Sequence, residues 1–405
     1  MPTELLEARR QRVLAELDGA AAVFGADRLR DIEGDYPQDS DFRQDNDFFY
    51  LTGLEEPEAW LVLNGDRPGA VTLYLQPRQP EQEVWTGVRL DLDQAADISG
   101  VRDVRPVGRL TQDLRALDAA DEPVVVSWGD PRNAAALGDL VGERTKPAGP
   151  LMARLRLVKD ADEIARLRRA IDITLEAQRE AWRLTRPGLH EYELEAAIEY
   201  VFRAQGAERV GFPSIVASGP HTTTLHYDKN RRQVRAGDLV LADVGAEFGY
   251  YTADITRTFP ASGEFTPRQR AVYELVLGAQ EAGLEAVRPG NTIQDVQAAA
   301  RAYMERNSGD LCGAYACTRY FIHGVSHWLG MDVHDVGAIM TPFEPGMVLS
   351  VEPGIYLADE ALGVRIEDDV LVTEEGHELL SGFLPRESEA IEAVMREDPR
   401  WVQNR

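Results

Sequence analysis

Two stretches far apart in the chain carry one pattern: a glycine, an apolar run, an acid and a second glycine. Gly237-Asp-Leu-Val-Leu-Ala-Asp243-Val-Gly245 aligns with Gly346-Met-Val-Leu-Ser-Val-Glu352-Pro-Gly354, both glycines and the acid in register. The same features precede each copy in the same order. Ile164, Leu167, Ile171, Leu175, Gln178 and Trp182 keep a helical period that Arg186-Pro187-Gly188 ends; Val272, Leu275, Val276, Ala279, Gly283 and Val287 keep another, ended by Arg288-Pro289-Gly290. Two copies are too few for a solenoid. A duplicated half folding against its twin instead brings Asp243 and Glu352 toward one shared cleft.

The first copy continues into LVLADVGAEFGYYTADITRTF, Leu239–Phe259. A hairpin turning at Glu247–Tyr250 sets Asp243 directly opposite Asp254, with Cβ atoms about 4.5–5.5 Å apart. Two aspartates so placed repel each other, and a divalent cation between them relieves the repulsion. Taken alone, the stretch reads first as an exposed acidic edge, which acidic proteins commonly carry. The second copy has HGVSHWLGMDVHD just before it, holding three of the chain's seven histidines: His323, His327 and His334. The spacing of His323 and His327 puts them on one side of a helix or a strand alike. Further on, Gly363–Val372 alternates, with Val364 and Ile366 on one face and Arg365, Glu367 and Asp369 on the other.

Asp243, Asp254, Glu352 and Glu367 with His327 therefore form a set of four carboxylates and one imidazole. Four negative charges match two divalent ions, and oxygen-dominated ligation with one imidazole favours Mn²⁺, then Co²⁺, Fe²⁺ or Zn²⁺. Two such ions sharing a water ionise it near neutral pH and polarise a carbonyl, which is hydrolase chemistry without a side-chain nucleophile. No serine elbow, phosphate-binding loop or dinucleotide fingerprint competes with this set.

The 405 residues leave room for two or three domains. A net charge of −26 without a basic block argues against nucleic acid and anionic membranes as partners. No apolar run is long enough to cross a membrane, and the N-terminal stretch does not read as a signal peptide. Cys312 and Cys317, the only cysteines, are expected as free thiols in a reducing cytoplasm. After a first helix, the runs AAAVFG, AWLVLNG, VTLYLQP and EPVVVSWGD read as buried strands, interleaved with helical patterns at Leu110–Ala119 and Asn133–Glu143. That mixed sheet ends near Lys146–Pro150, where KPAGP reads as a boundary.

The order Asp243, Asp254, His327, Glu352, Glu367, within ADVGAE, TADITRTF, HGVSHWLGMDVHD, SVEPGIY and RIEDDV, resembles the pita-bread metallopeptidases, and most closely their Xaa-Pro aminopeptidase (aminopeptidase P) branch. QDSDFRQDNDFFYLTGLEEPEAWLVL is similar to that branch's N-terminal domain, although Asp45-Asn46-Asp47 departs from its usual Asn-Ser-Asp. The resemblance implies an α+β chain. Residues 1–155 would form a mixed α/β domain serving oligomerisation and cleft access, and 156–405 a catalytic, internally duplicated pita-bread domain with a curved antiparallel sheet. It implies that Asp254 and Glu367 bridge two metals, that Asp243 completes one and that His327 and Glu352 complete the other. Glu352 would also accept a proton from the attacking water. His226 and His334 would hold substrate, His323 would sit near its pocket, and Arg365 would orient a ligand carboxylate. His221 receives no role. The implied activity removes an N-terminal residue when proline is second, in a homodimer or homotetramer. The alternatives are an Xaa-Pro dipeptidase and a metal-free binding or scaffold protein of the same fold.

Overall fold

The computed structural model describes residues 1–29, 31–33, 36–39, 42–65, 70–118, 123–138 and 145–402, and the chain divides into two compact units, Met1–Leu155 and Arg156–Arg405. The first contains a six-stranded mixed sheet in the order Asp103–Pro106, Val71–Leu75, Trp60–Asn64, Ala21–Gly25, Val124–Ser127, Thr145–Pro147. All four apolar runs read from the sequence are strands of this sheet. Val23, Trp60, Val62, Tyr74, Leu114 and Val126 pack into one core against it. KPAGP is no linker: Thr145–Pro147 adds an edge strand and a helix starts at Gly149. Of the two expected helices, one runs Leu110–Asp118 and the other Pro131–Leu137; Ala119 and 139–143 lie outside the described residues. Asp45 caps the helix Asn46–Thr52, accepting a hydrogen bond from the Phe48 N–H.

In the second unit every ladder is antiparallel, and the duplication is visible in three dimensions. The helix Ala161–Leu184 precedes a sheet ordered Ile215–Ser218, Leu239–Val244, Ile255–Pro260; the helix Pro267–Glu285 precedes one ordered Val348–Val351, Asp368–Thr373, Gly376–Leu379. Both helices start in a capping box, Asp160 with Glu163 and Thr266 with Gln269. Each sends one buried glutamine amide into its sheet. Gln178 Nε2 donates to the carbonyls of Ala242 and Ile255, and Gln280 Nε2 to those of Val351 and Ile366. Ala242 and Val351 immediately precede Asp243 and Glu352, so each glutamine pins the backbone behind an acid.

Three expectations change. The hairpin turns one residue later, at Gly249-Tyr250, both with positive φ, so Phe248 pairs with Tyr251 and Asp243 faces Thr256 rather than Asp254. Two consecutive positive-φ residues give the turn whose twist suits a two-residue hairpin. Because the partner moves by two, Asp254 stays on the same face, now diagonal to Asp243. Gly245 is where the hairpin pinches: a Cβ there would lie 1.8 Å from the Ala253 carbonyl oxygen. The stretch Gly363–Val372 is likewise broken, since Leu362–Arg365 pairs with Gly354–Leu357 and Asp368–Thr373 with Val348–Val351. Finally, Cys312 and Cys317 form a disulfide, their Cα atoms 5.2 Å apart across a compact turn, which overturns the free-thiol expectation and the support it lent to a reducing compartment. Among the described residues no helix is long and apolar enough to cross a membrane.

Candidate metal centre and active site

The cavity that holds the acids has a volume of about 540 Å³, and Asp243, Asp254, His327, Glu352 and Glu367 all line it, with His226, His323, His334 and Arg365. Asp243 is the last residue but one of the strand Leu239–Val244, and Asp254 stands in the break before Ile255, where its N–H donates to Asp369 Oδ2 at 3.1 Å. His327 is on neither a helix nor a strand. Its segment runs antiparallel beside Val348–Glu352 through Leu329 N to Val348 O (3.0 Å), Ser350 N to His327 O (3.0 Å) and Glu352 N to Val325 O (2.8 Å). These bonds seat the imidazole beside the second half's first acid. His327 Nε2 lies 3.3 Å from Asp254 Oδ2, 3.4 Å from Glu352 Oε1 and 3.8 Å from Glu367 Oε1.

Buried carboxylates this close cannot all carry charge without a counter-ion. Burial, then Asp243, pushes the Asp254 carboxyl well above its usual range; burial, then Asp254, does the same to Glu367, and burial raises Glu352. Asp243 Oδ1, Asp254 Oδ1 and Glu367 Oε1 are buried and accept no hydrogen bond among the described residues. An orphaned buried carboxylate oxygen is costly, and a cation ligated by these atoms removes the cost. Ligand atoms of Asp254, His327 and Glu367 lie within 4.8 Å of one another. The donor set is thus oxygen-rich with one imidazole, and it fits a divalent cation.

Around the acids the remaining oxygens are fixed. Arg365 Nη2 donates to Asp243 Oδ2 at 2.5 Å and its Nε to Thr256 Oγ1 at 3.1 Å, while the Thr256 hydroxyl donates to Glu367 Oε2 at 2.7 Å. Arg365 Nη1 also donates to the Tyr356 hydroxyl (3.1 Å), which lies 2.8 Å from His323 Nε2. His323 Nδ1 is 2.7 Å from the Gly324 carbonyl, which can only accept, so Nδ1 carries the proton and Nε2 accepts from Tyr356. Burial and then the Arg365 charge bring His323 down to about 4, so its ring is neutral. His334 packs edge-on to His327 with centroids 4.4 Å apart, and burial and then His327 lower its pKa too.

Sequence reasoning missed Phe212, Pro213, Ile215, Leu225 and Val333, the cavity's apolar wall. Leu225 and Val333 carry a signal in hindsight, each directly preceding a cavity histidine. Ile215 is found only through its pairing with Asp243.

Comparison with known proteins fits this geometry. Residues 165–374 match Metallopeptidase family M24, and residues 6–126 match the Aminopeptidase P, N-terminal domain. The chain belongs to metallopeptidase family M24. Its M24 relatives include the Xaa-Pro aminopeptidase of Escherichia coli K12, 37% identical over 96% of each chain, and Xaa-Pro aminopeptidase 1 of Streptomyces coelicolor, 37% identical over 96% of this chain and 86% of that one. Among solved structures, E. coli aminopeptidase P with the inhibitor Pro-Leu is 35% identical over 98% of both chains with a TM-score of 0.90, and Pseudomonas aeruginosa aminopeptidase PepP is 35% identical over 98% of both with a TM-score of 0.88. The second unit therefore has the pita-bread fold of M24, and the first is its aminopeptidase P N-terminal domain.

Proposed function

We propose that the chain is a metal-dependent aminopeptidase that hydrolyses the first peptide bond of peptides with proline in second place. The observation that carries this reading is one chain holding both the five-residue donor set around one cavity and an N-terminal domain of the aminopeptidase P type. Asp254 and Glu367 would be shared between two ions, most favourably Mn²⁺, with Asp243 on one and His327 and Glu352 on the other. When bound, the ions would ionise a water and polarise the scissile carbonyl.

The chain's own groups supply the rest. Glu352 Oε1 faces His327, which leaves Oε2 to take the proton of the attacking water and pass it to the departing proline nitrogen. That nitrogen has no hydrogen of its own before cleavage, so a delivered proton is required. His334, held neutral, donates an N–H to the oxygen on which charge develops, and His226 does so from the opposite loop. His323, with both ring nitrogens engaged, shapes the wall and transfers no proton. Arg365 fixes the Asp243 carboxylate in place by donating to its Oδ2.

Assembly is proposed as a homodimer or homotetramer in which residues 1–155 meet a neighbour and narrow access to the cleft. The exposed Val84, Trp85 and Val88 supply apolar surface for such a contact. The reading is tested by stripping metal with a chelator, restoring Mn²⁺ and comparing Xaa-Pro-Yaa tripeptides with Xaa-Pro dipeptides. Release of free Xaa from the tripeptide is expected. Turnover of the dipeptide alone would replace this reading with a dipeptidase, and absence of both bound metal and turnover would sink the peptidase reading.

A further inference from the structure

The loop that carries His226 is tied together at both ends by one buried carboxylate. Glu191, first residue of the helix Glu191–Ala204, is fully buried. Its Oε1 accepts from the Ser218 N–H (2.8 Å), the Ser218 hydroxyl (2.7 Å) and His221 Nδ1 (3.2 Å). Its Oε2 accepts from the Tyr227 hydroxyl (2.8 Å) and the Arg232 N–H (2.8 Å). Ser218 and His221 lie before His226, and Tyr227 and Arg232 after it. The two arms also touch directly, His221 packing on Tyr227 with centroids 4.1 Å apart. No hydrogen bond holds the His226 imidazole itself among the described residues, and no helix or strand spans Thr224–Arg232. Where His226 stands over the cavity is therefore decided by its neighbours' anchoring: five bonds of the loop converge on Glu191, and buried Asn230 adds two more, accepting from the Val216 N–H (3.0 Å) and donating to the Ser214 carbonyl (2.8 Å).

We infer that Glu191 is a positioning residue for the reaction, acting through His226 by clamping both arms of the loop 218–232 to the start of its helix. A carboxylate is suited to this because it only accepts, and five donors converge on its two oxygens. Gln has the same shape but turns one oxygen into a donor facing donors. The inference rests on the function proposed above, in which His226 touches substrate. Glu191 is not itself in the cavity, and it does not bear on the metal set.

A double-mutant cycle on the full, metal-loaded chain tests it, reading kcat/KM on an Xaa-Pro-Yaa peptide beside bound metal and hydrogen–deuterium exchange over 218–232. Glu191→Gln is expected to keep its metal, exchange faster in that loop and lose about ten- to hundredfold in kcat/KM. In a His226→Ala background the same change should cost less than roughly twofold more, since the group it positions is gone. Equal fold-losses in both backgrounds, or metal lost in step with activity, overturn the inference, because Glu191 would then serve the whole domain. If Glu191→Gln does not fold, Tyr227→Phe and Ser218→Ala, each removing one donor, take its place in the cycle with smaller losses and the same criterion. An inactive parent protein overturns the proposed function and this inference with it; an active parent with an additive cycle overturns this inference alone.

Discussion

In the first half of the pita-bread unit, Asp243 and Asp254 hang from strands joined by a two-residue turn, and one glutamine pins the backbone beside each. In the second half, Glu352 and Glu367 flank a second hairpin, Gly354–Leu357 with Leu362–Arg365, and a long segment holding three histidines is threaded in front of them. The shared frame delivers two carboxylates from each half to one cleft, and the unshared segment delivers imidazoles to one side of it. A duplicated fold alone would thus give a symmetric acidic cage. The asymmetric segment places a single imidazole, His327, within 3.8 Å of three of those acids, and in the proposed function it also supplies the side from which substrate would be held.

The comparison predicts a division of labour, and the largest effects test it. Asp254→Asn and Glu367→Gln, one from each half, should each lose metal and reduce kcat/KM by at least about a thousandfold, because in the proposed function each is shared between two ions and has no substitute. His334→Ala, from the unshared segment, should keep its metal by elemental analysis and lose about a hundredfold in kcat, the usual worth of one donor to a developing oxyanion. Equal metal loss in all three variants would erase the distinction between frame and segment.

The sequence carried the carboxylates and the clustering of the histidines well, and the local conformation around those histidines poorly, for a physical reason. Asp243, Glu352 and Glu367 end or adjoin apolar strands whose glycines and period are local properties, so their convergence follows once the duplication is seen. The hairpin register did not follow, because the choice between Phe248-Gly249 and Gly249-Tyr250 as its centre turns on a non-glycine residue accepting positive φ. His323 and His327 have a spacing suited to a helix or a strand, yet they lie in irregular chain ordered by bonds to Val348–Glu352. Such bonds are long-range and leave no period in the sequence. The roles proposed for His226 and Arg365 came from family resemblance, because a loop histidine and a strand arginine look ordinary in sequence, and the fold shows only that both line the cavity.

A smaller effect separates the halves by stability. Gln178→Leu removes two hydrogen bonds to buried carbonyls that keep their places in the strand ladder, at about 0.5–1.5 kcal/mol for each bond lost. Gln280→Leu does the same and also removes a 2.9 Å bond to Asp368 Oδ2, so it should be the more destabilising in urea denaturation. Asp368 keeps Arg257 and Ser381 on its Oδ1, while Oδ2 is left with the Arg386 Nε at 3.8 Å. Equal midpoints would mean that Asp368 is fully served without the glutamine.

The smallest effect concerns the disulfide, which belongs only to the second half's inserted segment. Bridging Cys312 to Cys317 closes a loop across five positions, and loop-closure entropy over so short a span is worth at most about 2 kcal/mol. The chain beyond it does not depend on the bridge, because Arg301 donates to the carbonyls of Thr318 (3.1 Å) and Phe321 (2.8 Å) and lies over the Phe321 ring at 5.0 Å. Phe321 in turn packs edge-on to His323. Cys312→Ser with Cys317→Ser should therefore lower Tm by no more than about 8 °C and leave kcat/KM within roughly twofold, since the three cavity histidines beyond the turn keep their anchors. Arg301→Ala should do the reverse, with the larger loss in turnover. If the double serine variant loses turnover as steeply as Arg301→Ala, the covalent bridge and not the arginine holds the histidine segment in place.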